Sequence, residues 1–234
     1  LTDIIYCFAT ASLRGVSNAQ EAIRFIKHNT GVDVELLSGE QEARYDYLGL
    51  MHHLPHIRDA VALDIGGGST EIIQIRDGHL ENCVSLPTGS LKLALEFSAG
   101  RFPAPEDQTR IAKHLSSVIG QVEWLPDAKC DLICTIGGTA RAAARLHRFL
   151  FSVENKTPYS YPIDDLNKVL TCLNDGNRSA QLEQLIPGRM QTVVPGILAI
   201  QAVSDIIGAR TAVVSKYGVR EGYLLNKKLA GKKS

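Results

Sequence analysis

Residues 64–71 read Asp-Ile-Gly-Gly-Gly-Ser-Thr-Glu, a run of residue types suited to gripping an oxyanion beside a cation. Gly66, Gly67 and Gly68 carry no Cβ to keep backbone N–H groups away from a phosphate oxygen. Ser69 and Thr70 add hydroxyl donors, while Asp64 and Glu71 add carboxylates that suit a hard cation or a water. A second turn, Gly137-Gly138-Thr139, leaves an apolar run at Ile136 and enters a helix-like stretch, whose first amides would point at whatever occupies the turn. Two such turns in one chain suggest two phosphate contacts. The competing reading is a pair of unrelated tight turns with no ligand.

Two more segments can complete a site. Ser38-Gly39-Glu40-Gln41-Glu42-Ala43-Arg44 reads as a strand-to-helix turn. Acids in the first helical turn meet the helix dipole favourably, which alone would explain them. Glu40 and Glu42 are two apart and point in different directions, so one can be solvated while the other faces a cleft and takes a proton from water. Ala9-Thr10-Ala11-Ser12-Leu13-Arg14 leaves another strand, and Arg14 can clamp phosphate through its planar fork or simply sit on the surface. His52, His53 and His56 fall in a polar stretch, 52–59, without Cys or His-Glu-x-x-His spacing, and read as solvated loop. Arg141, Arg145 and Arg148 share a helical face that is either a basic surface or a solvated one.

The elements that must position these groups follow from periodicity. Strands are expected at Ile4 to Ala9, Asp33 to Leu37, Ala60 to Leu63, Ile72 to Ile75, His79 to Leu86, Cys130 to Ile136 and Thr211 to Ser215, with Asp77-Gly78 as a hairpin turn. Helices are expected from Asn18 to Asn29, capped by Ser17 and Gln20 and ended by Gly31, and from Gly39 to about Met51. Others are expected near Leu91 to Phe97, Glu106 to Leu125, Ala140 to Arg148, Asp164 to Asn174, Ala180 to Leu185, Gly196 to Ile207 and Val219 to Leu229. Residues 149–161 read as irregular, Pro187 and Pro195 bracket a turn, and 231–234 form a solvated basic tail. The alternation implies an α/β protein with mixed sheets, divided at 1–56 and 57–234.

The 25 basic and 25 acidic residues cancel, so no global field recruits nucleic acid or an anionic membrane, and a polyanion must be held by local groups. No stretch reads as long enough to cross a membrane, and no signal peptide is visible. Five cysteines, mostly beside apolar runs, imply reduced thiols and a cytoplasmic protein. Cys130 and Cys134, spaced to share a strand face, read as core packing rather than a metal pair.

Taken together, the motifs resemble the exopolyphosphatase and guanosine-pentaphosphate phosphatase (Ppx/GppA) family. The resemblance is carried by Ala9-Thr10-Ala11-Ser12-Leu13-Arg14 with Asn18, by Ser38 to Arg44, by Asp64 to Glu71, by Gly137-Gly138-Thr139 and by Arg220-Glu221-Gly222. It implies an actin-like, sugar-kinase-like (ribonuclease H-like) two-lobed fold with its site between lobes. The implied activity is release of terminal phosphate from inorganic or guanosine polyphosphate with Mg²⁺ or another divalent cation, in a possible homodimer. By position, Glu42 is similar to the family's catalytic glutamate, Asp64 and Glu71 to its metal-site acids, and Gly66 and Ser69 to its phosphate site. The chain starts at Leu1, after the point where the family carries a first phosphate loop, and ends soon after Arg220-Glu221-Gly222. A truncated first lobe with reduced turnover is therefore expected. Two rival readings keep the same fold: a kinase passing phosphate to another acceptor, and a non-enzymatic sensor of polyphosphate or guanosine alarmones.

Overall fold

A computed structural model describes residues 5–100, 102–154, 158–176 and 179–230, with backbone only for 179–180 and 229–230. Its main sheet is mixed. The central strand β3 (Ala60–Ile65) pairs antiparallel with β4 (Thr70–Arg76), and β4 pairs antiparallel with β5 (His79–Leu86). On its other side β3 runs parallel to β6 (Leu132–Ile136), and β6 runs parallel to β8 (Thr211–Val214). The antiparallel β7 (Tyr159–Pro162) closes that edge. A separate parallel pair joins β1 (Cys7–Ala9) to β2 (Val34–Leu36). This is the α/β, actin-like arrangement that the resemblance implies.

Alternation sorts the sheet's side chains. Val61, Leu63 and Ile65 enter the larger core, while Ala60 and Ala62 face the smaller one. Against the first face pack α4 (Ser90–Phe97), α5 (Pro105–Ile119), α6 (Gly137–Phe151) and α9 (Met190–Ile207), with Leu93, Ile111, Leu115, Ile197 and Val203 fully buried. Against the second packs α3 (Gly39–His53), through Ala43 and Leu50. The β4–β5 turn has positive φ at both Asp77 (53°) and Gly78 (78°), the conformation a two-residue hairpin demands.

The smaller sheet is flanked by α1 (Ala11–Arg14) and α2 (Ala19–Thr30). It is stitched to the end of the chain by α10 (Val219–Ala230): Tyr223 Oη and Lys227 Nζ both donate to Glu35 Oε2 at 2.7 Å. Along α3, α10 packs with no room for side chains at its contact points. A Cβ on Gly222 would overlap the Tyr45 carbonyl, and one on Gly49 would overlap the Gly218 carbonyl. The remaining helices, α7 (Asp165–Leu173) and α8 (Ser179–Leu185), cover α6 and α9.

Several elements differ from expectation. The helix expected to begin at Gly196 is α9, which starts at Met190 and carries Pro195 inside it. At 18 residues, α9 is long and apolar enough by length and composition to cross a membrane; it lies instead in the core, 67% buried. The helix expected to reach Leu125 stops at Ile119, and a short 3₁₀ turn covers Leu125–Asp127. The stretch read as irregular contains the end of α6 and the strand β7. His52 and His53 belong to the last turn of α3, not to a loop; His52 stacks on Tyr217 and His53 packs against it at a tilt. Cys130 precedes its expected strand, and α2 begins after Asn18 without a side-chain cap from Ser17 or Gln20. Ile4 and the tail 231–234 lie outside the described residues.

Candidate active site

Register brings the two glycine turns together. Asp64 pairs across to Glu71 on β4 and stands level with Ile136 on the parallel β6, so β3 and β6 end side by side. Crevices beyond the carboxyl ends of parallel strands are where α/β proteins hold ligands.

In the first turn the Gly66 amide donates to the Ser69 carbonyl at 3.0 Å. The Gly66 carbonyl accepts from Ser90 N, and the Gly67 carbonyl accepts from Leu91 N and Lys92 N, so the turn's carbonyls cap the start of α4. The amides of Gly67, Gly68 and Ser69 donate to no acceptor among the described residues. They are the donors an oxyanion would use.

In the second turn Gly137 has φ +88°, and a Cβ there would overlap the Asp64 carboxylate. The first amides of α6 receive no side-chain cap. The Arg189 guanidinium lies over Gly138, where a Cβ would sit 2.6 Å from Nη2.

Opposite the first turn stands Arg14. Its Nη1 donates to Glu42 Oε2 at 2.9 Å and to the Leu37 carbonyl at 3.0 Å. Its Nη2 reaches Ser69 Oγ and Ser85 Oγ at 3.4 Å, and lies 3.8 Å from Glu71 Oε1. Ser85 Oγ donates to Glu71 Oε1 at 2.6 Å. Helix α3 delivers Glu42 through a capping box, in which Ser38 Oγ accepts from Gln41 N and Gln41 Oε1 accepts from Ser38 N. Glu40 is the solvated member of the pair, bonded to Arg44 at 2.9 Å, and Glu42 is the buried one.

Four carboxyls, Glu42, Asp46, Asp64 and Glu71, crowd this space. Burial, then the charge of Glu42, raises Glu71 from 4.5 to about 8 against the opposing bond from Ser85. Burial likewise raises Asp64 from 3.8 to about 6, opposed by its contact with Asp46 and by Arg141. Asp46 is pushed up well above its ordinary value, first by burial and then by the charges of Asp64 and Glu71. Neither Asp46 oxygen has a donor, so its contact with Asp64 becomes a hydrogen bond only when one carboxyl carries a proton.

The expected site residues thus separate into two sets. Arg14, Glu42, Asp64, Gly66, Gly67, Gly68, Ser69, Glu71, Gly137 and Gly138 converge. Thr70 and Thr139 are turned away from the expected phosphate role: Thr70 Oγ1 donates to the Thr88 carbonyl, and Thr139 is buried against Gly196 and Ser90. Of the three helical arginines only Arg141 reaches the site; Arg145 is exposed and Arg148 lies over the Tyr159 ring.

Sequence reasoning missed three contributors. Arg189 and Arg220 join Arg141, whose pKa is lowered by burial, then by the charge of Arg220, with Arg189 adding to the effect. No carboxylate among the described residues forms an ion pair with any of the three. Gly89 is the other: a Cβ on it would lie 2.5 Å from the Gly67 carbonyl carbon. Its signal was a glycine two residues after Pro87, at the mouth of a helix.

The described residues form no ready group of three acids, histidines or cysteines around a metal. The donors nevertheless fit a divalent cation shared with substrate: Asp64 and Glu71 supply oxygens from adjoining strands, and Mg²⁺ ordinarily takes one or two carboxylates together with phosphate oxygens.

A glycine cradle whose amides lack an acceptor among the described residues, an uncapped helix start, three arginines and buried acids have together the chemistry to hold a phosphate. The chain belongs to the Ppx/GppA phosphatase family, whose model matches residues 2–230. Exopolyphosphatase 1 of Mycobacterium leprae is 26% identical over 229 residues, covering 95% of this chain and 68% of that protein. The Mycobacterium tuberculosis protein of the same name is 25% identical over 230 residues, covering 95% and 67%. Among solved structures, the Aquifex aeolicus family member is 26% identical with a TM-score of 0.76, covering 98% of this chain and 75% of that one. An exopolyphosphatase from Cytophaga hutchinsonii, 24% identical, superposes with a TM-score of 0.83 over 97% and 75%, a likeness of fold.

Proposed function

We propose that the protein is an exopolyphosphatase-type phosphohydrolase that transfers the terminal phosphoryl group of inorganic polyphosphate to water. The observation that carries this reading is the set of amides at Gly67, Gly68 and Ser69 without an acceptor among the described residues, where Gly68 and Ser69 share a cleft with an arginine that holds Glu42. The amides and the start of α6 bind the terminal phosphate, and Arg141, Arg189 and Arg220 offset its charge. Arg14 fixes the Glu42 carboxylate. A water attacks the terminal phosphorus, Glu42 takes its proton, and the bridging P–O bond breaks to release orthophosphate and a chain one unit shorter. Asp64 and Glu71 would hold a divalent cation, which when bound would supply neutralisation of phosphate charge. The five free thiols support a reducing, cytoplasmic setting.

The test is orthophosphate release from long-chain polyphosphate with Mg²⁺, run beside guanosine pentaphosphate. Release from polyphosphate with water as sole acceptor supports the reading. Binding without release favours a sensor, and transfer only to a nucleotide or sugar favours a kinase.

A further inference from the structure

The cleft beside the glycine turn extends beyond the space one phosphate fills. It is a cavity of about 390 Å³ whose walls include Arg14, Gly68, Ser69, Ser85, Pro87 and Lys92. Its two cations differ in their commitments. Arg14 is engaged by Glu42 and faces Glu71. Among the described residues Lys92 has one partner, the neutral Pro87 carbonyl, which accepts from Nζ at 2.7 Å, and it is exposed on the cleft wall. Lys92 is also fastened to the turn, since its own amide donates to the Gly67 carbonyl at 3.0 Å. Its ammonium therefore has a set origin relative to the oxyanion cradle and a flexible stem with which to reach.

We propose that Lys92 binds the phosphate following the terminal one, so that it sets affinity for chains but takes no part in cleavage. This rests on the reading of the glycine turn as the terminal-phosphate site. A polyphosphate seated there carries at least one more negative charge into the cavity. Among the described wall residues, Lys92 is the cation that no carboxylate neutralises. A compact ammonium on a mobile stem suits successive phosphates of a moving chain better than a fixed fork does. Exchanging a neutral carbonyl partner for a charged phosphate strengthens the hydrogen bond.

The experiment compares the wild type with Lys92→Met, which keeps the aliphatic stem, and with Lys92→Arg. Orthophosphate and tripolyphosphate binding are measured by calorimetry, and kcat and KM on long polyphosphate by phosphate release. Expected for Lys92→Met is a loss of about tenfold in tripolyphosphate affinity and a matching rise in KM, with orthophosphate binding within about twofold of wild type. Lys92→Arg should recover most of the loss. Equal weakening of both ligands, unchanged tripolyphosphate binding, or a fall in kcat at constant KM would each overturn the proposal. If the wild type binds tripolyphosphate but releases no phosphate, the hydrolase reading fails and the two affinities still decide the role of Lys92.

Discussion

The two glycine turns lie side by side, yet their glycines are required for different physical reasons. In the first, none of Gly66, Gly67 and Gly68 has a positive φ. Their value is closeness: Gly67 abuts Gly89, and a Cβ on Gly68 would already lie 3.2 Å from that of Ala11. In the second, Gly137 adopts φ +88° and its missing Cβ makes room for Asp64. The first turn needs space alone, and the second needs both space and a backbone conformation. A glycine in a sequence motif announces neither, so the same residue type predicts different responses to substitution.

The sharpest break should come from outside both turns. Glu42→Gln keeps the shape of the side chain and removes the base, so kcat on polyphosphate should fall by about 10²–10⁴ while tripolyphosphate binding persists. Near-wild-type turnover would mean that the turns act without this acid. Next is Gly137→Ala. A methyl group forced into the left-handed region and into the Asp64 carboxylate should displace the start of α6, with activity down by on the order of 10²-fold. A variant of normal activity would make the two turns alike after all.

Gly89→Ala should follow. It pushes on the Gly67 backbone from behind, and overpacking of this kind costs about 1–3 kcal/mol, readable as a lower denaturant midpoint and weaker orthophosphate binding. Gly66→Ala should cost less. Its new methyl would meet only the Ser69 carbonyl, at 3.2 Å, and activity should stay within about tenfold of wild type. A loss equal to that at Gly137 would show that Gly66 is held by conformation.

The smallest effect concerns Glu71. A carboxyl raised from 4.5 to about 8 by burial and by Glu42 favours the folded protein while protonated. That contribution is whole below about pH 4.5 and is lost as pH climbs through about 8. The wild-type melting temperature should therefore fall from pH 5 to pH 9 more steeply than that of Glu71→Gln, by a few degrees. Parallel profiles would place the charge of Glu71 in a better-compensated setting.

What could be read from the chain was whatever is local. The β3–β4–β5 meander follows from apolar runs and from Asp77-Gly78. Helix geometry after Ser38 separates Glu40 from Glu42, and the family resemblance is what singles out Glu42. Helix α9 was hidden because Pro195 looks like a boundary. Burial of Val193, Val194, Ile197 and Ile200 outweighs the one backbone hydrogen bond that proline forgoes. Strand β7 was hidden because Tyr-Ser-Tyr-Pro is short, and Pro162 is tolerated there only because β7 is an edge. Arg189 and Arg220 precede or open different helices and meet Arg141 only through the fold, so no spacing in the sequence links them. The hydroxyls of Thr70 and Thr139 show the converse: a residue can sit within a motif and spend its side chain on packing.

The glycine contacts between α3 and α10 carry a mechanical consequence. Because Gly222 rests on the Tyr45 carbonyl and Gly49 on that of Gly218, the two helices meet backbone to backbone, and neither can slide without lifting off the other. The helix that aims Glu42 is thereby splinted by a segment almost two hundred residues later in the chain. Any widening of the cleft would have to carry the splinted pair together rather than bend α3 alone. The aim of Glu42 is set as much by α10 as by its own helix.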